Sequence, residues 1–154
     1  MSTLLNSPLE VGLRILVVLD VEFPAHRNLD QLLVVDHMAL HTEDFGGPGS
    51  LHPALPLRSA DVGARRESIR RGLELLIHRG LAAADLSDSG IAFLAGETAH
   101  GVVGLMESPY VKAYRDKVIW VTENESLESD GQVRERLSSI VESWPELSSE
   151  GVVP

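Results

Sequence analysis

Cysteine is absent from the 154-residue chain. That excludes disulfide frameworks, thiolate zinc sites, iron–sulfur clusters and thiol nucleophiles, and it fits a reducing compartment. Lysine is scarce: Lys112 and Lys117 are the two, preceded by Val111 and Asp116. A phosphate-cradling P-loop needs Gly-Lys-Ser/Thr, so the chain is not itself a P-loop ATPase. Metal-dependent nucleases commonly place an acid two positions before a lysine, and those positions here hold Tyr110 and Arg115. Gly-x-Ser-x-Gly and Gly-x-Gly-x-x-Gly are missing as well. With the common nucleophile and nucleotide signatures gone, the expectation is a chain that is not an enzyme and carries no cofactor. Aromatic residues are only 5%, which leaves Leu, Val, Ile and Ala to build the core. No apolar run approaches the roughly 20 residues that span a bilayer, and no targeting segment is evident. A soluble, cytoplasmic protein without membrane contact is expected.

Against these absences stand 44% hydrophobic and 23% charged residues, the mix of one globular domain. The net charge of −10 rules against a surface that binds nucleic acid everywhere. Ser7-Pro8-Leu9-Glu10 has the form of a helix start, with Ser7 as cap, Pro8 in the first turn and Glu10 as the second half of a capping box. The helix it opens should run to about Phe23 and stop at Pro24. Its middle is interrupted by Arg14 and Asp20 alone, so it must be either central to the core or buried by a partner. Asn28 caps a second helix reaching about His41, and Thr42 to Gly63 reads as a long irregular segment. Ala64 to Arg79 puts Ile69, Leu73, Leu76 and Ile77 on one face and ends at Gly80; Gly72 on that face suggests close packing against another helix. Leu81 to Leu86 and Ile91 to Ala95 flank a Gly-containing turn, the pattern of a hairpin. Helices are expected again over Glu97 to Met106, from Ser108-Pro109 onward, and from Val133 to Trp144, stopped by Pro145. The fold class is therefore mainly α with a small β-hairpin, a winged helix-turn-helix-like domain with extra C-terminal helices. Residues 1–122 form the domain, and residues 123–154 an acidic helix and tail packed on it or extending from it.

Two constellations carry chemistry. His37 and His41 are spaced to put two imidazoles on one side of a helix, with Asp36, Glu43 or Asp44 as a further metal ligand. The glutamate of the metalloprotease signature is not between them and His52 is tied to no fixed geometry, so structural histidines are the expectation and no metal is assigned. The second is positional. Arg58, Arg65, Arg66, Arg70, Arg71 and Arg79 fall within 22 residues against Asp61, Glu67 and Glu74, leaving +3 in a chain of −10. Arg58, Arg65, Arg66, Arg70 and Arg71 are the candidate contacts. A solvated face, the carboxylates of a protein partner and nucleic-acid phosphates all fit them.

Leu5-Asn6-Ser7-Pro8 with the apolar helix, His52-Pro53, Pro56, Arg58, Gly72-Leu73, Gly80-Leu81, Gly90, Glu107-Ser108-Pro109-Tyr110 and Trp120 occur in an order that resembles the middle component 2 proteins of ABC-three-component systems. Lamassu-type anti-phage defence modules look like the best-described relatives of that family. The resemblance covers roughly residues 4 to 122. It implies a non-catalytic winged-helix adaptor between an SMC/Rad50-like ABC ATPase and an effector, often a nuclease, with weak DNA contact inside the complex as an added role. It supplies no catalytic residues. A free-standing winged-helix DNA-binding regulator is the alternative, disfavoured by the acidic charge.

Overall fold

The computed structural model describes residues 7–52 and 59–142. Arg58, Pro53, Pro56, Leu5-Asn6 and the Trp144-Pro145 stop lie outside those residues. Among the described residues, six α-helices and one antiparallel hairpin follow in the order α1 (Pro8–Glu22), α2 (Leu29–Leu40), a 3₁₀ turn (Thr42–Phe45), α3 (Ser59–His78), β1 (Ala82–Ser87), β2 (Gly90–Ala95), α4 (Ala99–Gly104), α5 (Pro109–Asn124) and α6 (Asp130–Glu142). The class is mainly α, and the order is compatible with the winged-helix plan.

Local chemistry sets the boundaries. Ser7 Oγ accepts from the Glu10 N–H at 3.2 Å and starts α1, and a cis Phe23–Pro24 bond follows its end. Asn28 and Gln31 exchange side-chain and backbone hydrogen bonds at 2.9 and 2.8 Å, a complete capping box for α2. Gln31 also donates to the Leu127 carbonyl at 2.8 Å, fastening the connection between α5 and α6 to the start of α2. Gly80, at φ +71°, lets the chain reverse after α3, where the Leu81 N–H reaches back to the Leu76 carbonyl at 2.8 Å. Several expected boundaries move. The irregular stretch from Thr42 is shorter, because its first residues wind into the 3₁₀ turn and α3 begins at Ser59. The helix thus starts five residues before the expected Ala64 and runs through Gly63, a poor helix former. The Glu97–Met106 helix contracts to Ala99–Gly104.

Helix α1 is the axis of the fold. It packs against α2, α3, α4, α5 and β2, and Ile15 to Leu19 are buried on every side. Its apolar circumference is thus consumed inside the chain, not held for a partner; Leu9 and Phe23, near its ends, remain exposed. Helices α1 and α3 cross at two glycines. A Cβ on Gly72 would lie 2.9 Å from the Gly12 nitrogen, and one on Gly12 would lie 3.3 Å from the Gly72 carbonyl oxygen. These neighbours are backbone, so neither can rotate away. Gly72→Ala should therefore force the helices apart and, despite the better helix propensity of alanine, destabilise by about 1–3 kcal/mol, the range for overpacked cores. Urea unfolding of the variant beside Gly63→Ala, whose Cβ meets nothing, checks this.

The hairpin pairs Ala82 with Ala95 through Ser87 with Gly90, leaving Asp88-Ser89 as the turn. Arg27 and Phe93 exchange main-chain hydrogen bonds at 2.9 and 2.8 Å, which covers part of the free edge of β2. Val133 of α6 and Leu127 before it belong to the same core cluster as α1 and α2.

Candidate functional site

The polar chemistry of this protein is concentrated under α1 and α2. Arg14 and Asp36 are each the charged residue in the middle of an apolar helix, and both are buried. They meet in a two-point pair, Nε to Oδ1 at 2.9 Å and Nη2 to Oδ2 at 3.2 Å. The Tyr114 hydroxyl of α5 donates to Asp36 Oδ1 at 2.6 Å, and Arg65 of α3 lies 3.9 Å from Oδ2. One carboxylate thus ties together four helices. Burial pushes the Asp36 carboxyl up, but the Arg14 guanidinium with its hydrogen bonds, Arg65 and Tyr114 outweigh it and hold the group below its usual range. Burial, then the Asp36 charge, raises Tyr114 well above a normal phenol.

The histidines sit beside this pair. The His37 and His41 rings are 4.7 Å apart, and His52 stands 6.2 Å from His41 and shares a 2.8 Å hydrogen bond with the Tyr110 hydroxyl. Burial, the His41 ring and Arg65 push the His37 imidazole down to about 3. Burial and then Arg65 lower His41, and burial and then Arg14 lower His52. Asp36 is turned to Arg14 and is not shared with the imidazoles. Among the described residues no group of three His, Asp or Glu is arranged to hold a metal. The surrounding cations, Arg14 and Arg65, would also repel one. The arrangement is a neutral imidazole layer packed against a closed ion pair.

The candidate arginines separate into different environments. Arg65 faces inward to Asp36. Arg66 donates through Nε to Asp30 of α2 at 2.7 Å. Arg70 pairs with Glu67 and Glu74, and Arg71 with Glu67. These three are exposed, and pairs of that kind contribute little to stability. The Arg14–Asp36–Tyr114 unit had a signal in the sequence, namely charges of opposite sign, Arg14 and Asp36, set among the apolar residues of two helices. Which charge meets which, and that Tyr114 joins them, is set by the packing of α5.

Residues 4–146 match the family model for the ABC-three-component (ABC-3C) system Middle Component 2. The chain belongs to that family. As a Middle Component 2 protein it is one part of a multi-component ABC system. The match passes residue 122, where the resemblance was expected to end, and takes in α6. The physical reason is that Leu127 and Val133 complete the core that α1 and α2 begin. No curated protein and no solved structure matches the chain. Among the described residues no helix is long and apolar enough to cross a membrane.

Proposed function

We propose that this Middle Component 2 protein is the non-catalytic, cytoplasmic subunit that bridges an SMC/Rad50-like ABC ATPase and an effector in an anti-phage defence complex. The observation that carries the reading is the hairpin. Its distal end presents Leu86 and Ile91 as an opposed cross-strand pair, 77% and 51% exposed. The strands and turn hold Asp85 and Asp88 and no lysine or arginine. A wing that grips DNA neutralises phosphates with cations, whereas exposed apolar side chains flanked by charge suit a protein. The free-standing DNA regulator is disfavoured on the same ground. The inward-facing imidazoles and the closed Arg14–Asp36 pair support a structural rather than a catalytic use of the polar residues.

Co-expression of ATPase and effector with and without this chain tests the proposal. The two should co-purify only when the chain is present. Equal recovery without it overturns the bridging role, and ATP or DNA hydrolysis by the purified chain, lost on His37→Ala, overturns the non-catalytic reading. The chain alone should bind a short duplex weakly and lose that binding steeply with salt. Arg66→Glu with Arg70→Glu should abolish what remains without unfolding the protein; nanomolar, sequence-specific binding at physiological salt would favour the regulator instead.

A further inference from the structure

Between the hairpin, the start of α2, the outer face of α3 and helix α6 lies an open groove of about 750 Å³. Its floor is apolar: Leu29, Ile91, Phe93, Val133 and Leu137. Along its sides stand Arg66 and Arg70 from α3 and Arg134 from α6, with Asp30 and Asp130 as the acids. Arg134 is exposed and has no ion-pair partner among the described residues. The lining thus carries three arginines against two aspartates, and Arg134 is the arginine left without a carboxylate of its own chain among the described residues.

We infer that this groove is a docking site for an amphipathic segment of a protein partner, apolar along one side and carrying carboxylates along its flanks. The inference rests on the adaptor reading above and specifies the surface it would use. Three features select this occupant. The apolar floor continues past Ile91 to Leu86, its opposed partner in the ladder, so the apolar surface extends beyond the groove. The rim arginines match carboxylates in charge and geometry. Arg66 and Arg70 already hold exposed carboxylates of their own chain, Asp30, Glu67 and Glu74. Because such exposed pairs are weak, an incoming acid replaces them at little cost and gains from the water the apolar floor sheds. A duplex is the poorer fit. Helix α6 adds one arginine beside Asp130 at the groove, and the charged residues of the hairpin are Asp85 and Asp88, with no cation.

The test uses the full-length chain carrying Ile91→Asp and Arg134→Glu, titrated separately against the purified ATPase, the purified effector and a fluorescent duplex of about 20 base pairs. Both positions are exposed, and circular dichroism melting should match the parent; the milder Ile91→Ala with Arg134→Ala serves if it does not. The expected result is affinity for one protein partner reduced at least about tenfold, the other changed less than about twofold, and the loss partly mimicked by added salt. Parent-like affinity of the folded variant for both proteins overturns the groove while leaving the adaptor reading standing. Loss confined to the duplex overturns it in favour of nucleic acid. A parent chain that binds neither protein overturns the adaptor reading and the groove with it.

Discussion

Asp36→Ala is expected to destabilise the protein by about 3–5 kcal/mol, the largest effect of any single substitution discussed for this chain. The alanine would leave the Arg14 guanidinium buried with its two carboxylate hydrogen bonds gone. It would also strand the Tyr114 hydroxyl, whose acceptor is the same carboxylate. Arg65, half turned to the surface, would lose its anion too but can move toward water. The buried charge that has lost its carboxylate dominates this loss, not the forfeited pair. Removing both partners with apolar groups of similar volume, Arg14→Met with Asp36→Leu and Tyr114→Phe, should therefore recover much of it. Urea unfolding of the single and triple variants measures this. Should Asp36→Ala unfold within about 1 kcal/mol of the parent, the network is not the anchor its geometry implies.

Acid should destabilise this protein before ordinary carboxylates titrate. The His37 imidazole is held neutral down to about 3, whereas in the unfolded chain it takes a proton near its ordinary value of 6.5. Between those two values the unfolded state binds more protons, so stability falls as pH falls. The loss approaches roughly 1.4 kcal/mol per pH unit below about 6.5 for His37 alone, or about 2 kcal/mol between pH 6.5 and 4.5. His41 and His52 are shifted the same way and steepen the loss. Asp36, shifted below its usual range by Arg14 against its own burial, adds to it only below its unfolded value of 3.8. The measurement is the urea midpoint from about pH 8 to pH 4.5, in the parent and in His37→Leu. The substitution should flatten the profile by close to one proton. An unchanged slope in His37→Leu would show that His37 is not the group that resists protonation.

How much of this was legible beforehand follows from how far each cause reaches along the chain. Ser7 and Asn28 bind backbone groups three residues away, Gly80 reverses the residues on either side of it, and Asp88-Ser89 joins strands that pair immediately beside it. Causes confined to one helical turn or one hairpin are written in consecutive letters, so the element order, the caps and the mainly helical class could be read directly. Gly72 stood out for the same reason, as a helix-weakening residue on a buried face. Its counterpart Gly12 did not, because a glycine opening an apolar helix is unremarked until α3 is laid across it.

The sequence by itself also determined that α1 must be buried all round, since no soluble helix leaves Ile15 to Leu19 in water. It left open whether a partner or the chain itself does the burying. Tertiary structure decided that, wrapping α1 in α2, α3, α4, α5 and β2. It likewise decided the fate of the charged residues. Arg65 and Arg66 are neighbours in the chain, yet one points to a buried carboxylate and the other to an exposed one. Asp36, counted in the sequence with His37 and His41 as a metal ligand, is taken by an arginine 22 residues away and a tyrosine 78 residues away. Side chains choose partners by distance in space, and at such separations only the packing of helices sets that distance.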